Sequence, residues 1–148
     1  MTGAMESVSE ITLDYANQRV QFGRRIATFQ AVAQRLVRLS SEAELAGLTT
    51  DVAARRFAES GMNASFEVAV AKATSSRSAS EVTAHAHQVH GAIGMTQEYA
   101  LHRFTRRLWV WRQEWGSERS WAEVLGGQMA DVSGQGIWPR LATGLVER

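Results

Sequence analysis

Apolar and polar residues alternate along this chain with the three-and-four spacing of helices packed on one side. Residues 7–20 carry Val8, Ile11, Leu13, Tyr15 and Ala16, which suit one helix with an uneven stripe. The segment Gln21-Phe-Gly-Arg-Arg25 breaks it, with Gly23 placed as a left-handed helix cap. Thr28 is suited to cap the next helix through its hydroxyl. That helix, expected over residues 29–58, has Phe29, Val32, Ala33, Leu36, Leu39 and Ala43 on its buried face. Arg35, Arg38, Glu42 and Asp51 then fall on solvated surface, and residues 60–63 make the turn.

A third helix is expected over residues 64–89. Its run of Ala, Ser and Thr, from Ala69 to Ala86, lets neighbouring helices come close, as at the centre of a bundle. Ser and Thr also lower helix propensity, so tertiary packing has to hold this segment. The stretch Gln88-Val-His-Gly-Ala-Ile-Gly94 ends it with two glycines, which allow positive φ and close backbone approach. A fourth helix over residues 97–115 places Leu101, Phe104, Leu108 and Trp111 on one face, and a shorter one covers 117–125. Residues 127–148, with Gly134, Gly136 and Pro139, read as a tail with a possible final turn at 141–146. No strand-like alternation competes. The pattern gives an all-α fold: an up-and-down four-helix bundle over residues 1–126 with a short extra C-terminal helix.

Composition narrows the function. A net charge of +1 in 148 residues predicts no general attraction to nucleic acid or to anionic membranes. There are no cysteines, which excludes disulfides and thiolate chemistry and makes a reducing cytoplasm the default. No apolar run approaches the roughly 20 residues of a membrane span, and no signal-peptide core is seen. A single proline favours long uninterrupted helices.

Chemical signals are few. His85 and His87 are two apart on a helix and do not share a face, and no carboxylate cluster completes a metal site. Arg103, Arg106, Arg107 and Arg112 stand among Trp109, Trp111 and Trp115. With balanced overall charge, this mixture points to an interface with arginine–carboxylate pairs rather than to single-stranded nucleic acid. Arg19, Arg24 and Arg25 flank Gly23 and could clamp phosphates, or could be a solvated charge cluster. No Walker loop, dinucleotide fingerprint or Gly-x-Ser-x-Gly elbow is present.

Three motifs, Tyr15-Ala-Asn-Gln-Arg-Val-Gln-Phe-Gly23, Ile26-Ala-Thr-Phe-Gln30 and Gln88-Val-His-Gly-Ala-Ile-Gly-Met-Thr-Gln-Glu-Tyr99, occur in order and are followed by Arg106-Arg107. Together they resemble the C-terminal helical domain of the acyl-CoA dehydrogenases, over about residues 3–118. The resemblance implies FAD as cofactor, an acyl-CoA thioester as substrate of the complete enzyme, and assembly into dimers or tetramers through the bundle. A carboxylate there takes the α proton while the flavin accepts a hydride from the β carbon. By position it implies that Arg19 reaches the FAD pyrophosphate of a neighbouring subunit and that Gln21 and Phe22 line the same cofactor. Phe29 and Gln30 would approach its adenosine half, and Gln88, His90, Gly91 and Gly94 would pack on the partner's FAD.

Two departures stand out. Ala92 replaces a usual glycine, and the family's Tyr-Glu-Gly-Thr falls at Glu114-Trp-Gly-Ser117. Trp115 then occupies the base's place and Glu114 sits one residue early, about 100° away if the segment is helical. A second branch of the family carries its base on the first helix, before residue 1 of this sequence. The catalytic residue is therefore unassigned. Two functions fit: part of a flavin-dependent acyl-CoA dehydrogenase, completed by further domains or a partner subunit, or a helical oligomerisation module that has lost flavin.

Overall fold

The computed structural model describes residues 1–130. Five helices, α1 (Thr2–Gln18), α2 (Gln30–Ser60), α3 (Ser65–His90), α4 (Leu101–Trp111) and α5 (Glu118–Ala130), account for most of it. The all-α expectation holds.

The buried positions explain the order of the helices. On α1 the stripe is Met5, Val8, Thr12 and Ala16, spaced by three and four, with Ile11, Leu13 and Tyr15 only half-buried. The hydroxyl of buried Thr12 donates to the Val8 carbonyl at 2.6 Å, so no donor is stranded there. On α2, Leu36, Leu39, Ala43, Ala46 and Ala53 face inward. Met5, Val8, Leu39, Ala43, Ala79, Val82, Leu101 and Leu108 close one continuous core. Fully burying a Leu or Val side chain is worth about 1.5–3 kcal/mol, so this core is what holds the weak helix former α3 helical.

Helix α3 packs against α1, α2, α4 and α5. Its small residues serve these internal contacts, with Ser75, Ser76, Ser78 and Ala79 buried. Tyr15 near the end of α1 meets His90 at the end of α3, while Lys72 near the start of α3 meets the end of α4. Helices α1 and α3 therefore run in one direction, and α2 and α4 in the other.

Several sequence expectations are corrected. Helix α1 spans Thr2–Gln18 rather than 7–20, because Arg19 turns extended (φ −71°, ψ 122°). Residues 20–25 are not a helix cap but a small antiparallel hairpin, β1 (Val20–Gln21) with β2 (Arg24–Arg25). Thr28 does not cap α2; its hydroxyl donates to the Arg25 carbonyl at 2.7 Å, and Phe29 occupies the cap position. Glu42 is not simply solvated: it accepts from Arg77 at 3.1 Å and from Ser78 at 2.7 Å, joining α2 to α3. Arg35 approaches the His85 ring at 3.5 Å. Helix α4 is shorter than expected, and α5 continues through Gly126 and Gly127 to Ala130. The expectations for residues 134–146 lie outside the described residues. Among those described, no helix is long and apolar enough to cross a membrane.

Candidate functional site

At the end of the bundle where α1 and α3 finish, the connection from α1 to α2 folds back on itself. Val20 pairs with Arg25 and Gln21 with Arg24, leaving Phe22 and Gly23 as the two turn residues. Both have positive φ, 52° and 77°, as a type I′ turn demands. Glycine takes that conformation without penalty, whereas Phe22 adopts it at a cost of about 1–2 kcal/mol. The strain holds the Phe22 ring outward, 93% exposed. Its ring edge meets Phe29 at 6.1 Å, and the Arg24 guanidinium lies 4.1 Å over the Phe29 ring.

Arg19, Gln21, Phe22 and Phe29, with Tyr15 and Val89 among others, line one cavity of about 310 Å³. Its apolar wall is Val89, Ile26 and Val32, which pack in a small cluster with buried Ala16 and Leu36. Arg19, Arg24 and Arg25 are exposed, and among the described residues none forms an ion pair with a carboxylate. Three uncompensated guanidinium groups around an exposed aromatic hairpin can receive a polyanion carrying a flat ring.

Not every expected residue joins this cavity. Gln30 is exposed on α2 beside Ala33, Gln34, Val37 and Arg38, lining a different depression. Gln88 is exposed on the last turn of α3, next to Val89. His90 is buried, only 4% exposed, and stacks on Tyr15 with ring centres 4.4 Å apart while Tyr99 tilts against it at 5.0 Å. Its Nδ1 donates to the Ala86 carbonyl at 2.8 Å, which leaves Nε2 as a buried acceptor without a partner. Burial holds His90 below the usual histidine range, opposed by that carbonyl and reinforced by His87. The His90 ring is thus enclosed by tyrosines and offers no face to the cavity.

Gly91 terminates α3 at φ 63° and is exposed. Gly94 is buried, and its glycine identity has a packing cause. A Cβ there would stand 2.9 Å from the His90 Cβ, 3.1 Å from Leu101 Cδ2 and 3.3 Å from His87 Nδ1. His87 in turn reaches the Thr105 hydroxyl at 3.1 Å, tying α3 to α4, and burial lowers its pKa as well. Tyr15, the first residue of the first motif, lines the cavity without any signal for it in the sequence, while Arg24, one of the three arginines expected beside Gly23, lies over the Phe29 ring.

The other candidate place is the turn between α4 and α5. Glu114-Trp115-Gly116-Ser117 is not helical, so the argument from rotation by one helical residue does not apply. Trp115 has φ 59° and is 91% exposed, and its carbonyl accepts from the Trp121 indole at 2.8 Å. Lys72 braces the turn by donating to the carbonyls of Trp111 and Arg112 at 3.3 and 3.2 Å. Burial lowers the Lys72 pKa, Glu114 raises it and Arg112 lowers it further. Of the basic face on α4, Arg112 pairs with Glu118 at 3.5 Å and lies over the Trp109 ring at 4.7 Å. Arg103, Arg106 and Arg107 are exposed and make no such pair among the described residues.

Known proteins share this arrangement. The chain is 32% identical to the caffeyl-CoA reductase-Etf complex subunit CarC of Acetobacterium woodii over 127 residues, covering 86% of this chain and 33% of that protein. The ChsE4-ChsE5 complex from Mycobacterium tuberculosis contains a chain that superposes with a TM-score of 0.84 at 28% identity, over 90% of this chain and 36% of that one. PigA, solved as an FAD complex, superposes at 0.81 with 27% identity, over 87% of this chain and 33% of its own. The chain thus spans about a third of the length of these relatives. The family model "Acyl-CoA dehydrogenase, C-terminal domain" matches residues 1–126, and the chain belongs to that family.

Proposed function

We propose that this chain forms the C-terminal helical part of a flavin-dependent acyl-CoA dehydrogenase subunit, supplying contacts to FAD and a surface for assembly. The observation that carries this reading is the hairpin: Arg19, Arg24 and Arg25 without carboxylate partners, around the outward ring of Phe22. The donor set fits a dinucleotide cofactor. Arg19 would hold the pyrophosphate, and Gln21, Phe22 and Phe29 would line it. Gln88 and the exposed backbone of Gly91 are close to the same end and would approach it from α3. Gln30 would meet it only from beyond the hairpin cavity, and His90 and Gly94 act by holding the glycine turn in shape.

In the complete enzyme FAD, held in part by these residues, would supply the acceptor for the hydride that leaves the β carbon of an acyl-CoA thioester. The α proton needs a carboxylate within hydrogen-bond reach. Trp115 cannot accept it, so the base comes from another part of the protein or from a partner subunit. That the ChsE4-ChsE5 structure is a complex of two named chains is consistent with the second route.

Titrating FAD against the purified chain by flavin fluorescence tests the proposal. Hydrogen bonds to charged groups contribute about 1.5–3 kcal/mol, so Arg19→Ala should weaken binding roughly 10–100-fold. Arg106→Ala, exposed on α4 and outside the hairpin cavity, should leave it unchanged. A second reading, a helical assembly module without flavin, is favoured by Trp115 in the base's place. It requires a colourless protein on which Arg19→Ala has no effect.

A further inference from the structure

Six polar residues recur along one face of α3: Lys72, Ser76, Ser80, Thr83, His87 and His90, spaced by three and four. At 100° per residue they stay within an arc of about 80°. This face looks at α4. Lys72 and Ser76 donate to the Arg112 carbonyl at 3.2 and 3.3 Å, and His87 Nε2 meets the Thr105 hydroxyl at 3.1 Å. Lys72 also donates to Ser76 at 3.1 Å.

Beyond Ser76 each residue of the row keeps one polar atom unpaired. Ser80 Oγ, Thr83 Oγ1, His87 Nδ1 and His90 Nε2 are buried atoms without a hydrogen bond among the described residues. Other helical hydroxyls fall back on their own helix, Thr12 on Val8, Thr50 on Ala46 and Ser60 on Arg56. Ser80 and Thr83 do not. Four such atoms on one face are satisfied together by internal water, which typically bonds about three buried groups.

The hydrogen-bonding senses fit water. Thr105 donates to the His102 carbonyl and so accepts from His87 Nε2, which leaves His87 Nδ1 an acceptor. His90 Nε2 is an acceptor too, and the Thr83 hydroxyl supplies a donor. A water donates twice and accepts once against that set. Residues one turn apart are about 5–6 Å apart at Cβ, the span of two hydrogen bonds through one water. The two imidazoles belong to no group of three metal-binding side chains among the described residues.

We propose that this seam is a proton path, in which a row of internal waters joins Ser76 to His90 and carries protons between the α4–α5 turn and the hairpin end. Each hydroxyl or water accepts a proton on one side and releases one on the other, so one proton moves and no other bond changes. Arg19 and the hairpin take no part, so loss of flavin binding and loss of this path are separate results.

Thr83→Val cuts the row at its middle with a side chain of nearly the same shape. A hydroxyl unpaired in a dry seam is better replaced by methyl, which would make the variant at least as stable as the parent. A hydrated row gives the reverse: the folded-to-unfolded ratio from urea unfolding falls about 5–30-fold. The His90 Nδ1 proton reads the path, because it leaves for solvent only after Nε2 has taken up a proton. Its exchange with water, followed by nuclear magnetic resonance, should slow several-fold in Thr83→Val and recover in Thr83→Ser. Thr50→Val, whose hydroxyl is bonded within its own helix, should leave that exchange unchanged. A Thr83→Val chain as stable as the parent overturns the proposal. So does exchange that Thr83→Val leaves unchanged, that Thr50→Val slows equally, or that Thr83→Ser does not restore.

Discussion

The two ends of the bundle have kept different things. At one end the hairpin holds Phe22 and Gly23 in a strained turn and surrounds them with arginines. At the other the α4–α5 turn is also strained, at Trp115, and presents an exposed indole at the position that the resemblance gives to the family's base. Lys72 and His90 mark the two ends on α3, about 27 Å apart by helical rise. The hairpin and the α4–α5 turn are therefore separate surfaces. Both ends hold a strained turn, and only the hairpin surrounds it with arginines that no carboxylate pairs among the described residues.

The largest effect expected concerns chemistry at the Trp115 end. The chain alone should show no dye reduction with a panel of acyl-CoAs and added FAD. A missing general base costs about 10²–10⁴ in rate by itself. Glu114, exposed in the turn, should be silent: Glu114→Gln leaves the baseline unchanged. Turnover by the parent chain that vanishes in Glu114→Gln would make that carboxylate the base and erase the contrast between the ends.

At the hairpin end, the sharper question is which glycines serve the ligand and which serve packing. Gly94→Ala forces a methyl to within 2.9 Å of the His90 Cβ, and overpacking of this kind costs about 1–3 kcal/mol. Gly127→Ala in α5 meets nothing within 4 Å and should stabilise by up to about 1 kcal/mol through helix propensity. Urea unfolding of both variants measures the difference. A neutral Gly94→Ala would show that the turn yields and that His90 is not locked. Gly23→Ala falls between them: φ 77° penalises any side chain by about 1–2 kcal/mol, most of it confined to the hairpin.

What the sequence made legible follows from range and length. Helices of 11 to 31 residues repeat their apolar period several times, so the bundle could be read directly. Two-residue strands cannot show an alternation, so the segment reads as a helix cap, although the positive φ expected at Gly23 is there. The stack of Tyr15 on His90 joins residues 75 apart and leaves no local signal. Without it His90 reads as a ligand contact and Gly94 as a cofactor glycine. Gly126 and Gly127 suggested a helix end from propensity alone, yet α5 runs through them, as tertiary packing commonly overrides propensity.

The smallest effect is a pH dependence from the two buried histidines at the hairpin end. His87 and His90 both have pKa values lowered by burial. The unfolded chain therefore binds protons, near the usual histidine value of about 6.5, that the folded one refuses. Stability from these groups is complete above that value and is lost as pH falls through it, because unfolding then takes up protons. Two features make His90 the main contributor: its Nε2 has no partner, and a charge there would face His87 and the rings of Tyr15 and Tyr99. Thermal unfolding should shift downward between about pH 7 and pH 5. His90→Phe, which keeps an aromatic ring against Tyr15, should flatten that slope even if it lowers stability at pH 7 through the lost bond to Ala86. An unchanged slope in His90→Phe would move the effect to His87 and its contact with Thr105, which binds α3 to α4 rather than closing the turn.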